Sequence, residues 1–278
     1  RMPTPDQQHL IDALFDMRRT PPERAEIGVR LATLGDSRPG VGVRPDGLPD
    51  LLWTVVPEGV FLYRADRKRE HLPTFRISIY PITYSQFETF LDAPDGFSEP
   101  HWWMGLARTE KMPGKAHNTW GNHPRESINW FEAAAFCRWL SVKMNMTIRL
   151  PHEREWEKAA RGIDGRLYPW GGDYVSGYAN VDEVTSQSGS YHLGRTTAVG
   201  IYPPTSASPY GAFDMVGNVA EWCTNGFSDE DTTGVSDRVV RGGSYEDQPL
   251  NATIPSRAMV PSRLRYERIG FRVVAETT

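Results

Sequence analysis

Cysteine, net charge and long apolar runs are all scarce in this sequence of 278 residues. Its two cysteines, Cys137 and Cys223, are too few for a disulfide framework, so we expect two buried thiols. A formal net charge of -4 argues against a general nucleic-acid binder. No apolar run approaches the ~18 residues that a membrane span needs, and the N-terminus lacks the apolar core of a signal peptide. These absences predict a soluble, cytoplasmic protein whose partner is neither nucleic acid nor a membrane.

The first 50 residues predict an N-terminal helical arm and linker. Apolar side chains recur at helical spacing around Leu10 and Leu14, and residues 7–34 predict two short helices. The run Thr20-Pro21-Pro22-Glu23 is typical of a capped helix N-terminus. Residues 35–50 are rich in Gly and Pro, which indicates a linker into the main domain. Because the chain begins with Arg1 rather than methionine, we expect it to be part of a larger multidomain protein.

Residues 51–278 predict one α+β domain that is poor in regular structure. One helix is expected at 130–142, where Asn129 and Glu132 have the spacing of a capping box. Another is expected from Pro151 until Gly162 stops it. The remainder predicts loops and short strands. Such a domain depends on aromatic packing and buried hydrogen bonds for its stability.

Seven motifs of this domain occur in an order that one protein family shares. They are SINWFEAAAFCRWLS, RLPHEREWEKAARG, YPWGG, YAN, SPYGAFDMVGNVAEWC, RVVRGGSY and GFRVV. Over residues 51–278 the chain resembles the formylglycine-generating enzymes and their sulfatase-modifying-factor relatives. The resemblance implies their α+β variant of the C-type lectin-like fold, with a binding cleft built from C-terminal loops. It is less specific for function, because the family includes oxidases, sulfoxide synthases and catalytically inactive binding domains.

The resemblance matches the copper-binding cysteines of the formylglycine-generating enzymes to Asp247 and Ala252. Neither residue can bind copper(I) as a thiolate does, so we expect no copper and no formylglycine generation. The sulfoxide synthases of the family need iron on three histidines, whereas the seven histidines here are scattered singly along the chain. We therefore predict no catalytic residue. The alternative is an atypical oxidoreductase that uses another set of residues in the same cleft.

The motif DMVGNVAE implies a structural calcium site by the same resemblance. Asp214 and Glu221 match side-chain ligands, while Gly217 and Val219 match carbonyl ligands. Hard oxygen donors, a glycine in a tight loop and two carboxylates that balance the charge all suit Ca2+. The alternative is that Glu221 only caps backbone amides.

A second calcium site of the family matches less well. It would use Asn180 and the carbonyl of Val181. Its aspartate aligns near Tyr191, which offers no carboxylate. This departure weakens the prediction of a second ion.

The segment between RGGSY and IGFRV predicts the binding surface. It shows neither strand alternation nor a helical stripe, and it contains no pairing of a nucleophile with a base. Its candidate ligand contacts are Tyr245, Glu246, Asp247, Gln248, Leu250, Asn251, Thr253, Ile254, Ser256, Ala258, Met259, Val260, Ser262, Leu264, Tyr266, Glu267 and Arg268. The residues predicted as framework between them are Pro249, Arg257, Arg265 and 269–272.

This alternation resembles the variable region of diversity-generating retroelement proteins. The resemblance implies a segment that recognises a protein or small-molecule ligand and whose codons are diversified. Two departures stand out: Tyr245 replaces the usual tryptophan, and adenine mutagenesis of Asn codons cannot produce the Glu, Gln and Met residues found here. A binding domain of fixed specificity explains the same residues.

Positions 238 to 272 contain seven arginines but only three acidic residues. A cleft that attracts an anionic ligand would explain this excess. The interpretation we favour is that Arg257, Arg265 and Arg272 are framework donors to loop carbonyls and carboxylates. The sequence thus predicts a non-catalytic ligand-binding module that is supported by a calcium-stabilised loop.

Overall fold

Short helices and strands joined by long loops make up the chain, which a computed structural model describes over residues 2–226 and 233–276. The helices in these ranges are α1 Pro5–Leu14, α2 Pro21–Leu34, α3 Tyr84–Asp92, α4 Trp130–Met144 and α5 Glu153–Arg161. The strands are β1 Trp53–Val56, β2 Gly59–Tyr63, β3 Lys68–Leu72, β4 Phe75–Ser78, β5 Ile148–Arg149, β6 Ala220–Gly226, β7 Arg238–Arg241, β8 Arg257–Val260, β9 Ile269–Gly270 and β10 Val274–Glu276. Single turns of 3-10 helix occur at Pro100–Trp103 and Pro204–Ser206.

Capping residues determine where the helices begin. The Asn129 side chain accepts a hydrogen bond from the backbone N–H of Glu132, and the Glu132 carboxylate accepts one from the N–H of Asn129. This reciprocal capping box starts α4 at the predicted residue. Gly162 ends α5, as predicted, with φ of 69°. Helix α3 was not predicted, because its apolar stripe is only nine residues long.

Two four-stranded sheets organise the domain. One has the order β1-β4-β10-β5, so the last strand of the chain pairs with strands from the first part of the domain. The other has the order β8-β7-β6-β9, in which β6 runs antiparallel to β7 and parallel to β9. Strands β2 and β3 form a hairpin. Strand β8 lies at an edge of the second sheet.

Apolar clusters cover both faces of the second sheet. Val240 and Val260 pack into a cluster that contains the aromatic side chains of α3 and α4. The alternate residues Val239 and Met259 pack into a second cluster, which is built around Trp156. Side chains alternate across a strand, so both faces of this sheet pack against apolar clusters, although Ala258 on β8 remains exposed.

The N-terminal arm packs against the domain. Leu10, Leu14 and Leu31 form a cluster with Ala198 and Ile201 of a distant loop. Helix α2 comes so close to that loop that a Cβ on Gly28 would lie 2.8 Å from the Cβ of Ala198. A hydrogen bond from the Asn122 side chain to the Gly28 carbonyl, 2.9 Å long, strengthens the contact. The two helices predicted in the arm are therefore present and docked.

Both cysteines are buried free thiols, as predicted. Burial raises the pKa of Cys137 and of Cys223, so both thiols stay protonated at neutral pH. Within residues 2–226 and 233–276, none of the helices combines the length and the apolar character that crossing a membrane requires.

Candidate binding cleft

A cleft of about 520 Å³ opens beside β8. Strands β7, β8 and β9 supply part of its wall, and the glycine turn after β7 supplies its base. Its lining residues are Ala220, Val240, Gly242, Gly243, Ser244, Asp247, Asn251, Ser256, Arg257, Ala258, Met259, Val260, Pro261, Tyr266, Arg268 and Ile269. Most of them come from the segment that the sequence predicted as the binding surface.

The base of the cleft brings together the two positions that match copper-binding cysteines. A Cβ built on Gly243 would lie 2.7 Å from the Cβ of Ala252 and 3.5 Å from that of Asp247. Gly243 has a positive φ of 67°, so a glycine suits this position for both space and conformation. Asp247 Oδ2 accepts hydrogen bonds from the Ser244 N–H at 2.8 Å and the Ser244 hydroxyl at 2.7 Å. The two side chains are close in space, but one is a carboxylate that lines the cleft and the other is a methyl group buried behind Gly243.

Eight of the predicted ligand contacts line the cleft. They are Asp247, Asn251, Ser256, Ala258, Met259, Val260, Tyr266 and Arg268. Leu250 is exposed but lies outside the lining, as do Glu246, Gln248, Leu264 and Glu267. The structure thus brings about half of the predicted set to one concave surface.

Four predicted contacts are buried and cannot touch a ligand on this surface: Tyr245, Thr253, Ile254 and Ser262. Ile254 belongs to the cluster around Trp156, and its backbone N–H donates to the Leu167 carbonyl at 2.8 Å. Ser262 donates its hydroxyl to the Gly234 carbonyl at 2.6 Å. These side chains hold the segment in place, because an irregular loop must satisfy its polar groups and anchor itself through its own residues.

The same segment also contains a strand, although the sequence predicted irregular structure throughout. Residues 257–260 form β8 and pair with β7 in the register Arg241 to Arg257 and Arg238 to Val260. Both faces of β8 meet apolar clusters, so the alternation of polar and apolar residues that marks a half-buried strand is missing.

Buried carboxylates hold the arginines that were predicted as framework. Arg257 donates to Glu153 at 2.7 Å. Arg265 donates to Glu132 at 2.8 Å and to Glu110 at 3.2 Å. The arginine excess near the C-terminus is therefore partly neutralised by acids from α4, α5 and the loop before α4.

Arg241 extends this framework into the interior. Its guanidinium donates to Glu153 at 2.8 Å, to Glu157, and to the Ile254 carbonyl at 2.8 Å. Glu153 therefore links the buried Arg241 to Arg257 at the cleft. The sequence did not single out Glu153 as a partner of these arginines. The unbalanced arginines were the signal that a buried carboxylate had to exist.

Two surface ion pairs flank the cleft. Arg268 donates to Glu246 at 2.7 Å, and both side chains are about half exposed. His117 lies 3.3 Å from the Glu267 carboxylate. Exposed pairs of this kind contribute little stability, so these side chains are free to exchange partners when a ligand binds.

The predicted calcium ligand Glu221 is occupied by other groups. Arg272 donates to its Oε2 from Nε at 2.7 Å and to its Oε1 from Nη2 at 2.8 Å, and the indole of Trp156 donates to Oε2 at 2.7 Å. All three residues are fully buried. A guanidinium balances the charge that was assigned to Ca2+, so the Glu221 carboxylate does not fit a calcium ion in this arrangement.

The other predicted calcium ligands shape the loop through hydrogen bonds. Asp214 accepts from the Gly200 N–H at 2.7 Å, and burial raises its pKa to about 6. Gly217 donates its N–H to the Gly242 carbonyl at 2.9 Å and has a positive φ of 76°, as the tight turn requires. Val219, which directly precedes β6, is buried. These hydrogen bonds align the glycine turn that lines the cleft.

The second predicted calcium site is likewise built from hydrogen bonds. The Asn180 carbonyl accepts from the N–H of Asn218 at 2.9 Å, and its side-chain amide donates to the Arg195 carbonyl at 2.9 Å. Val181 is buried in the cluster around Trp156. Asn218, which sequence reasoning did not single out, accepts from the Thr197 N–H at 2.9 Å and thereby ties this loop together.

Histidines and acids do not gather elsewhere in the described ranges. Across residues 2–226 and 233–276, no three His, Cys, Asp or Glu side chains are placed so that they could hold a metal ion. His123 is buried and its Nδ1 lies 2.9 Å from the hydroxyl of Thr196. Burial lowers the pKa of His123 to about 3, so this imidazole is neutral at physiological pH.

Comparison with known proteins identifies the family to which this domain is similar. The sulfatase-modifying factor enzyme 1-like domain matches residues 49–277. Hercynine oxygenase of Mycolicibacterium smegmatis is 29% identical over 259 residues, which cover 74% of this chain but only 57% of that protein. The inactive C-alpha-formylglycine-generating enzyme 2 of mouse is 30% identical over 241 residues, which cover 71% of this chain and 74% of that protein.

Solved structures agree on the fold. Treponema denticola variable protein 1 superimposes with a TM-score of 0.60 at 20% identity, over 81% of this chain and 95% of that one. The predicted α+β fold of the formylglycine-generating-enzyme type is thereby confirmed. With the domain match extending over most of its length, this chain belongs to the family of sulfatase-modifying factor enzyme 1-like domains.

Proposed function

We propose that this chain is a non-catalytic ligand-binding module that recognises a protein or another ligand in the cleft beside β8. The observation that carries the proposal is the pair at the base of the cleft. Asp247 and Ala252 lie side by side at the positions that match copper-binding cysteines. A methyl group cannot ligate a metal, and the Asp247 carboxylate is already bound by Ser244.

The lining of the cleft supports recognition. Polar side chains such as Asn251 and Ser256 lie near the apolar Met259 and the half-exposed Tyr266. A concave surface that combines aromatic, apolar and polar groups is typical of a ligand site. The framework arginines are paired with buried acids, so the exposed side chains can differ without loss of the fold.

The relatives are consistent with this proposal. One protein at 30% identity bears the name of an inactive enzyme, and a variable protein shares the fold. We further propose that the segment 246–268 is diversified at the positions that do not anchor it. Sequencing the DNA beyond the stop codon tests this: an adenine-substituted near-copy of these codons beside a reverse-transcriptase gene is expected. Without that copy, diversification is wrong and a module of fixed specificity remains.

An atypical oxidoreductase is the second candidate, because hercynine oxygenase is 29% identical over much of this chain. This alternative predicts that the mass of a cysteine-containing peptide changes when the peptide is incubated with the protein, oxygen and either copper(I) or iron(II). We expect no metal-dependent change in the peptide mass. Turnover that depends on either metal would overturn the binding-module proposal.

Binding itself is testable with matched surface variants. Arrays of glycans and peptides are probed with the wild-type chain, with Ala258→Glu inside the cleft, and with Leu250→Glu outside it. We expect a ligand that binds the wild type and Leu250→Glu but not Ala258→Glu. If a ligand binds Ala258→Glu as well as it binds the wild type, recognition occurs elsewhere and the proposed site is wrong.

A further inference from the structure

The edge of β8 is an unused hydrogen-bonding surface. Strand β8 pairs with β7 alone, through the register that joins Val240 to Ala258 and Val239 to Met259. In an antiparallel ladder, alternate residues point their N–H and C=O groups away from the partner strand. Among the described residues, no backbone hydrogen bond from outside the sheet reaches residues 257–260. Within residues 2–226 and 233–276, the outward groups of β8 therefore have no backbone partner on that side.

This free edge faces the cleft. All four residues of β8 line it, together with Pro261. Consecutive residues of β8, whose side chains point to opposite faces, line the cleft, so the strand is reached along its edge as well as over the face that carries Ala258 and Val240. Pro255 and Pro261 flank the strand and restrict how far a further strand can pair with it. Four residues at about 3.3 Å each give a docking edge roughly 13 Å long.

We propose that the ligand of this cleft is an extended segment of a partner protein, which pairs with β8 as a fifth strand of the sheet. The inference rests on the proposed binding function and names the partner class for the same site. Main-chain hydrogen bonds would provide affinity, and pockets for alternate side chains would provide specificity. The half-exposed Tyr266 offers an apolar contact at one side of the cleft.

The charges of the lining favour an acidic side chain in that segment. Arg257 and Arg268 line the cleft, and because Arg257 is bound by the buried Glu153, Arg268 is the cation that a ligand can pair with. Arg268 is half exposed, and its partner Glu246 lies outside the lining. An acidic side chain of the bound segment can therefore replace Glu246 as the partner of Arg268, whereas a basic one would be repelled.

The test uses random linear peptides displayed on phage and selected on the full chain. A selected peptide is then synthesised with one backbone N-methyl group at each position in turn. Strand pairing predicts a period of two: methylation of inward-facing N–H groups weakens binding by roughly tenfold or more, while methylation of the alternate positions leaves the affinity unchanged. We also expect Ala258→Glu to abolish binding and Leu250→Glu to preserve it.

Each outcome separates this inference from the proposed function. A peptide whose affinity shows no alternation is recognised by its side chains; strand addition is then wrong, but the binding module stands. If no linear peptide binds while a glycan or a folded protein binds and responds to Ala258→Glu, the partner class is wrong and the module again stands. Binding that survives Ala258→Glu overturns the assignment to this cleft altogether.

Discussion

The guanidinium of Arg272 donates to both carboxylate oxygens of Glu221 in the fully buried interior of the domain. Arg272→Met leaves the Glu221 carboxylate buried without a cation. We expect the free energy of unfolding to fall by about 3–5 kcal/mol, because an uncompensated buried charge is costly. Urea denaturation followed by tryptophan fluorescence measures this change.

A double variant provides the control for that measurement. Glu221→Leu combined with Arg272→Met removes both charges, and we expect it to be more stable than Arg272→Met alone. Arg263→Met changes an exposed arginine and should alter the stability by less than about 0.5 kcal/mol. If the double variant is as unstable as Arg272→Met, hydrogen bonds from Arg272 to backbone carbonyls dominate rather than the ion pair.

Calcium removal should have no effect on stability. Because Arg272 and Trp156 occupy the Glu221 carboxylate, the loop lacks the second acidic ligand that the calcium prediction assumed. We expect the same Tm in excess EGTA and in millimolar calcium. A bound ion would stabilise the folded state by mass action, so a Tm that rises with calcium concentration would restore the original prediction.

Mild acid should destabilise the protein through His123. Its pKa is about 3 when folded and about 6.5 when unfolded, so between these values the unfolded chain binds the additional proton. Above about pH 7 the imidazole is neutral in both states and does not alter the free energy of unfolding. Below pH 6.5 protonation of the unfolded chain lowers that free energy by roughly 1.4 kcal/mol for each pH unit. We expect His123→Gln to flatten this part of the stability profile between pH 7 and 5. His9→Gln, at an exposed histidine, should leave the profile unchanged.

Restoring two thiols at the base of the cleft should create a copper site. The Cβ atoms of Asp247 and Ala252 both lie within 3.5 Å of the point that a Cβ on Gly243 would occupy. We therefore expect Asp247→Cys with Ala252→Cys to bind copper(I) in a competition assay with a chromophoric chelator. Neither single variant should compete to the same extent. Equal affinity for the double and single variants would mean that the two positions do not form a pair.

The sequence predicts local features such as helix boundaries better than it predicts contacts between residues that are far apart in the chain. Asn129 with Glu132 and the stop at Gly162 are signals within a few residues, and α4 begins and α5 ends where they predict, although α5 begins at Glu153 rather than at Pro151. Partners of the arginines are remote: Arg265 meets Glu132 across 133 positions and Arg257 meets Glu153 across 104. Spacing alone cannot pair such residues, and so the role of Glu153 was missed.

The same reasoning explains why about half of the predicted contacts lie in the cleft. Chemical character placed Asn251, Ser256 and Tyr266 correctly on the surface. It could not show that Ile254 is buried, because an isolated apolar residue in a loop looks the same whether it faces a ligand or a core. Which residues of the segment are anchors depends on the strand β8 and on the helices beneath it.

Glu132 and Glu153, which anchor the C-terminal segment, belong to helices far from it in sequence. Part of what holds the segment in place is consequently encoded far from the residues that line the cleft. A library that randomises Asn251, Ser256 and Ala258 leaves every such anchor in place. The domain is therefore suited to the laboratory selection of new binders, in the way that antibody loops are used on an unchanging scaffold.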